Sequence, residues 1–327
     1  MRGAPPDQES SSSNHAWVAP SGEGAIRLDA FVRRCLSHLS LQQARKAIDE
    51  KSFWINGRPG KKGDKLFGGD VLSFRGARHL LAPAPPPGRD LHVPVLYEDE
   101  CVLVVDKPAG MATHGFSGRE KHSLANFLAA IRPALAGVGK SRWEPGLVHR
   151  LDRDTSGLVL VVKDQDSFEN LRSQFRQGLI QKKYWALVWG SLRGKRLLDY
   201  PLTHDPKNRK KMRAVKNERE KTMLAKKWRA ITRVKPVASS GGFTFLEVEI
   251  ETGVTHQIRA HLEASGYPVV GDPLYGNHRP DPFALGRQFL HAYYLGFRHP
   301  KSGLEVAVTS PLPEELKRIL DCLQVSL

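Results

Sequence analysis

Residues 148–162 read VHRLDRDTSGLVLVV. Four ionisable side chains, His149, Arg150, Asp152 and Arg153, crowd its start; Asp154 opens a Thr-Ser-Gly turn, and Leu158–Val162 is apolar and largely β-branched. A short apolar run bounded by turn residues predicts a buried strand. A carboxylate just ahead of such a strand is anchored by the sheet yet open to a ligand. Asp152 therefore has two readings, a turn residue capping its own backbone or a reactive group. Asp154, nearer the turn, suits the capping role better.

The flanking sequence supplies the rest of a sheet. CVLVVDKPAG (101–110) predicts a strand running into an Asp-Lys-Pro-Ala-Gly turn, and Ser167–Gln177 a helix stopped by Gly178. Tyr184–Trp189 and Phe243–Ile250 predict further strands, the second alternating with one irregularity, and THQIRAHLEASG a helix from about Thr255 to Gly266. Strands separated by single helices, with no GxGxxG or Walker spacing, imply the α+β class, a mixed and largely antiparallel sheet with flanking helices.

Upstream lies a small α/β module. Ile26, Phe31, Val32, Cys35 and Leu36 share one helical face, with Arg33 and Arg34 turned away. Ser40 and Gln43 form a capping-box pattern for a second helix, whose Leu41, Ala44 and Ile48 oppose Arg45 and Lys46. Phe53–Ile55 and Val71–Phe74 read as strands, the first closed by an Asn56-Gly57 turn followed by Arg58. APAPPPGRD (82–90) is a stiff spacer. The expected organisation is a disordered tail (1–25), the module (26–75), a Pro-rich linker (76–92) and a larger domain (93–327).

Fifty Lys and Arg against thirty-four Asp and Glu leave a formal charge of +16. Its placement is uneven: residues 26–75 hold eleven basic and five acidic residues, and residues 207–227 ten basic and two acidic. Those two segments supply +14 of the +16, which favours a polyanionic partner such as nucleic acid. No apolar run reaches the roughly 18 residues of a membrane span, and residues 1–24 have neither the apolar core of a secretory signal nor the arginines of a transit peptide. Three widely spaced cysteines, Cys35, Cys101 and Cys322, point to a reducing, cytoplasmic setting without a disulfide framework or a zinc site.

HRLDRDTSG, with KPAGMATHG before it and KKYWALVWG, TGVTHQIRAHL and LHAYYLGFRHP after it, resembles the RluA-type pseudouridine synthases. Five motifs stand in the family's order across residues 101–300. The order of elements in residues 26–75, including INGRP and GGDVLSF, resembles the S-four type RNA-binding domain that many members carry in front. What the resemblance implies is an isomerase that converts uridine in RNA to pseudouridine without a cofactor; a monomer with no metal site is the accompanying expectation. Ribosomal RNA is the favoured substrate and transfer RNA the other open one.

The resemblance also assigns roles. Asp152 matches the catalytic aspartate, Arg259 the basic residue paired with it, Tyr184 the residue that stacks on the target base and is a candidate for late proton removal, and Leu290 an apolar pocket position. Arg150, two residues before the aspartate, is suited to fill the gap left when a base is flipped from its stem. The carboxylate has three open routes: attack on the anomeric carbon, addition to the uracil ring, or assistance to a glycal-like intermediate. The family commonly has a basic residue after the Thr-Gly where this chain has Val254, so one loop or phosphate contact is expected to be missing.

Arg33, Arg34, Arg45, Lys46 and Arg58 of the module, and Lys210, Lys211 and Arg213 of the basic stretch, are the expected phosphate-binding residues. His149, His256 and His261 lack a metal-binding pattern and are expected to serve as hydrogen-bonding support. Two rival readings exist. A non-catalytic ribosome-assembly factor has no use for Asp152, Tyr184 and Arg259 together, and a glycosidase wants a second carboxylate that the sequence does not single out.

Overall fold

A computed structural model of the chain describes residues 15–36, 39, 41–76, 85–115, 120–139, 143–276 and 278–326. The chain divides into two units, residues 1–84 and 85–327.

The small unit contains β1 (Ala16–Val18), β2 (Ile26–Arg27), α1 (Leu28–Cys35), α2 (Leu41–Asp49), β3 (Phe53–Ile55), β4 (Arg58–Pro59), β5 (Lys65–Leu66) and β6 (Val71–Phe74). Part of the stretch expected to be a disordered tail belongs to this unit, because β1 pairs antiparallel with β6. The first helix starts later than its apolar periodicity suggests. Ile26 and Arg27 pair with β5, and Arg27 caps the helix in an extended conformation without a side-chain bond, so no capping residue marks the start. The capping box expected at Ser40 lies outside the described residues. Asn56 and Gly57, at φ 46° and 82°, make the expected tight turn. Its return strand is β4, however, while β6 flanks β3 on the other side. Leu28, Phe31, Val32, Ala44, Ile48, Phe53 and Leu72 form the core.

The large unit runs β7 (Val95–Glu98), β8 (Val102–Lys107), α3 (Leu124–Ile131), β9 (Ser156–Val162), α4 (Gln165–Gln177), β10 (Gln181–Trp189), β11 (Arg196–Leu198), β12 (Leu202–His204), β13 (Met212–Ala214), α5 (Glu218–Met223), β14 (Thr232–Ser240), β15 (Phe243–Ile250), α6 (Gln257–Ala264), β16 (Leu290–Arg298), β17 (Glu305–Thr309) and α7 (Glu314–Cys322). Among the described residues these make a nine-stranded sheet ordered β11-β14-β15-β10-β16-β9-β8-β7, with β17 also on β16. Every pairing is antiparallel except β16 with β9. β12 and β13 form a separate hairpin. Residues of the expected linker, Pro86 and Gly88, hydrogen-bond to Asn126 in α3 within this unit. Among the described residues no helix is long and apolar enough to cross a membrane.

Strand β9 is buried throughout because apolar cores cover both faces of the sheet. Val159 and Val161 join Leu124 and Leu128 of α3 on one side, and Leu158, Leu160 and Val162 join Phe168 and Leu171 of α4 on the other. Helix α4 ends as expected at Gly178, φ 71°. The Ser-Gly of the opening motif has a steric cause. Gly157 has φ 117°, and a Cβ there would sit 2.2 Å from the Ala292 carbonyl oxygen of β16, so no other residue lets the two parallel strands approach. This pairing sets the loop before β9 beside Leu290 at the start of β16.

Candidate active site

The loop 150–155 is held from several directions. Thr113 Oγ1 donates to the Leu151 carbonyl (2.8 Å) and accepts from its N–H (3.1 Å). The fully buried Lys107 donates from Nζ to the carbonyls of Arg153 (3.0 Å), Pro108 (2.8 Å) and Met111 (2.8 Å). Arg287 Nη1 donates to the Asp154 carbonyl (3.1 Å), and Gln288 Nε2 to Thr155 Oγ1 (3.1 Å). Burial pushes the Lys107 ammonium down to about 7, but three carbonyl acceptors call for three N–H donors, a set only the charged form has. With the backbone fixed on both sides, the Asp152 carboxylate stands half-buried at the wall of a cleft.

Its partner is Arg259 of α6. Arg259 Nη1 donates to Asp152 Oδ2 at 2.9 Å, while Nε and Nη2 grip Asp272 Oδ2 and Oδ1 at 2.6 and 2.8 Å. Arg259 is 5% exposed and Asp272 5%. Two carboxylates hold the guanidinium firmly charged despite its burial. Asp272 is fixed in turn by the N–H groups of Leu274 and Tyr275. The bidentate pair sets the plane of the guanidinium, and the remaining nitrogen sets the position of Asp152.

Tyr184 and Leu290, both buried, line the same cleft of about 540 Å³, with Arg150, Ile250 and Ile258. Burial first, and the Asp152 charge second, push the Tyr184 phenol well above its ordinary range. Exposed Arg150 stands at the mouth, its Nη1 3.1 Å from His114 Nε2. The cleft thus gathers all five residues that the motifs single out.

The three histidines serve hydrogen bonds. His149 Nε2 accepts from the Leu160 N–H at 2.9 Å, and burial pushes the ring down to about 3. His261 lies 2.9 Å from Thr232 Oγ1 and 2.8 Å from the Tyr200 carbonyl. His256 adopts a left-handed backbone, φ 56°, at the start of α6; its Nδ1 is 3.0 Å from the Tyr275 hydroxyl and its Nε2 3.9 Å from Asp152. A non-glycine residue in that conformation marks a constrained turn beside the carboxylate.

Asp272, Tyr275, Lys107 and Thr113 were not singled out by sequence; the first three stand in GDPLYG and DKPAG, which read as turns alone. Asp99, Cys101 and His299 also come together, their candidate ligand atoms within 4.8 Å of one another. His299 Nδ1 accepts from the Ser302 N–H at 3.0 Å, so the ring proton sits on Nε2, 3.1 Å from Asp99 Oδ2. With Nδ1 taken by the Ser302 N–H and Nε2 facing Asp99 and Cys101, the three side chains form a hydrogen-bonded cluster.

The expected phosphate-binding residues have mixed environments. Arg34 pairs with Glu23 (2.6 Å), Arg45 with Asp29 (2.9 Å), Lys46 with Glu50 (3.8 Å) and Arg58 with Asp64 (2.8 Å); Arg33 Nε reaches the Leu39 carbonyl at 3.4 Å. In the large unit the basic stretch forms the β12–β13 hairpin and α5. Lys210 is exposed, Lys211 Nζ lies 4.7 Å from the centre of the Tyr275 ring, and Arg213 is paired with Glu220.

A sequence profile of the RNA pseudouridylate synthase family matches residues 101–264, which include the 150–155 loop, Tyr184 and Arg259. The chain is 37% identical over 311 residues to an uncharacterized RNA pseudouridine synthase of Chloroflexus aurantiacus, covering 94% of this chain and 93% of that one. This chain belongs to the RNA pseudouridylate synthase family. The enzyme is therefore an isomerase acting on RNA. It is also 33% identical to ribosomal large subunit pseudouridine synthase D of Neisseria meningitidis over 91% of this chain and 79% of that one. Human RNA pseudouridylate synthase domain containing 4 shares the synthase fold, with a TM-score of 0.56 and 23% identity over 71% of this chain and 94% of that one.

Proposed function

We propose that the synthase isomerises uridines of large-subunit ribosomal RNA, with Asp152 as the reacting carboxylate. One observation carries the assignment of Asp152: its carboxylate is half-open in an apolar-walled cleft and fixed by a guanidinium that a second, buried carboxylate holds in place. The reaction breaks the bond from ribose C1′ to the uracil ring nitrogen, turns the base, joins C1′ to a ring carbon, and moves that carbon's proton to the freed nitrogen. No electrons are gained or lost. Arg259 keeps Asp152 aimed at the sugar and base, which is what each of the three routes asks of it. Leu290, Ile250 and Ile258 keep water from a detached base, whose escape would leave an abasic site.

Tyr184 serves by the face of its ring. A phenol held protonated by burial beside a carboxylate is a poor resting base, which favours stacking over late proton removal. Arg150, exposed beside the cleft, fills the stem once the uridine has left it. The small unit acts as an S-four type RNA-binding domain; the order of two helices and short strands and its net positive charge support that reading. The ribosomal assignment draws on the Neisseria relative. Mapping pseudouridine in large-subunit rRNA and in tRNA, from cells with and without the gene, tests it. Loss of modification in rRNA alone is the expected result; loss confined to tRNA overturns the substrate assignment, and no loss in either overturns both.

A further inference from the structure

Next to the catalytic cleft, and sharing Arg150, Tyr184, Ile250 and Gly253 with it as common walls, lies an open chamber of about 1220 Å³. Its walls also carry Lys182, Arg172 and Arg176. The two acidic residues on its lining are already engaged: Glu144 lies 3.2 Å from His114 Nε2, and Glu251 pairs with Arg233 at 2.6 Å.

Lys182 is the unusual member. It is 6% exposed and precedes Tyr184 by two residues on β10, which puts both side chains on one face of the strand, roughly 6–7 Å apart along it. Its Nζ has the Thr252 carbonyl at 3.2 Å and the Phe175 ring centre at 5.4 Å, and no carboxylate among the described residues. Arg172 beside it spends Nη1 on the Val148 carbonyl at 3.0 Å, and its buried Nε has no hydrogen-bond partner. Both charges are felt by His149, whose ring they help to keep neutral. Burying an ammonium is costly without a counter-ion, and the described residues provide none here.

The chamber is open and shares four lining residues with the cleft, so a ligand seated in the cleft can extend an anionic group toward Lys182. Resting on the reading of the cleft as the uridine site, the anion that arrives one step from the base is the backbone phosphate of the adjoining nucleotide. We infer that this chamber is a subsite for the RNA strand next to the target uridine, with Lys182 as the ligand of one phosphodiester and Arg176 at its rim. Lys182 and Tyr184 then form a two-point gauge on one strand, the ring reading the base and the ammonium reading the backbone beside it.

Lys182→Met tests this, since an unbranched apolar side chain suits the buried stem and removes only the charge. Single-turnover pseudouridine formation is measured on total RNA from cells lacking the gene, across RNA and salt concentrations. Binding to a large-subunit rRNA transcript and thermal unfolding are followed in parallel. The expected result is a half-saturating RNA concentration about tenfold higher, and a slope of log affinity against log salt lower by about 0.7–0.9. The midpoint of unfolding should be unchanged or higher, and Lys182→Arg should restore the slope. An unchanged slope in Lys182→Met overturns the subsite, whether or not turnover and unfolding also change, because a structural lysine would alter those without touching counterion release. Wild-type protein that forms no pseudouridine on any of these RNAs overturns the functional reading instead, and the binding slope still decides the subsite.

Discussion

Two groups of positive charge in the large unit are built on opposite terms. At the cleft, Arg259 is buried and makes three hydrogen bonds to two carboxylates. On the β12–β13 hairpin, Lys207, Arg209 and Lys210 are exposed and have no ion-pair partner among the described residues. The buried charge interacts across a low dielectric, is barely screened, and has one permitted position. The exposed charges are screened beyond about 8 Å at physiological salt and are interchangeable with one another. The first arrangement sets geometry and the second sets affinity. Arg213, expected among the RNA-gripping residues, is engaged by Glu220, and Lys211 is laid over Tyr275, so these two also serve the inner end of the hairpin.

The comparison breaks first at Asp152. Asp152→Asn keeps an oxygen to accept from Arg259 Nη1, so unfolding temperature and RNA affinity should stay near wild type. Turnover should fall by several orders of magnitude, because an amide is a poor nucleophile and carries no charge. Single-turnover pseudouridine formation decides it, and a rate within about tenfold of wild type removes Asp152 from the chemistry.

Arg259 comes next, with a smaller effect of two kinds. Arg259→Met strands the buried Asp272 carboxylate and should cost about 3–5 kcal/mol of stability, along with a loss of turnover of roughly a hundredfold. Arg259→Met combined with Asp272→Leu replaces the pair by apolar volume and should recover most of the stability but none of the rate. If turnover returns with stability, Arg259 is a structural tie and not the residue that positions Asp152. Adding Asp152→Asn to Arg259→Met should be little worse than Asp152→Asn alone, since groups that share one task do not multiply their losses.

How much of this was legible depended on where the signal lay. Asp152, Tyr184, Arg259, Leu290 and Arg150 sit inside patterned stretches, and the structure brings all five to one cleft. Asp272 was not legible, because its role is to hold another side chain: a carboxylate in a Gly-Asp-Pro turn reads as a turn residue until Arg259 is seen at 2.6 Å. Lys107 was hidden for a related reason, since its three bonds go to backbone carbonyls, which carry no sequence label. The left-handed backbone of His256 has no marker either, lying in a helical pattern one residue before the helix begins. At the fold level, periods of two and 3.6 located several of the longer elements, Phe243–Ile250 to the residue, but not the nine-residue strands β14 and β16. The two-residue strands β2, β4 and β5 are too short to have a period, and β1 was taken for tail because it is paired only with the distant β6.

The smallest expected effect is at the hairpin, and there the comparison is sharpened. Lys211 touches Tyr275, whose hydroxyl also meets His256 and the Met212 backbone, so neutralising Lys211 would disturb grip and cleft together. Lys207→Gln, Arg209→Gln and Lys210→Gln, made as one variant, remove three exposed charges and leave that link intact. Each charge that meets a phosphate should lower the slope of log affinity against log salt by about 0.7–0.9, so the triple change should lower it by roughly two to three. Turnover at saturating RNA should change little, because contacts made equally in the ground and transition states affect binding and not the chemical step. An unchanged slope would make the hairpin a solvated face and pass the work of RNA capture to other basic surfaces. A reduced slope with a reduced saturating rate would mean that the exposed charges also hold the hairpin against the cleft, and the division between geometry and affinity drawn here would fail.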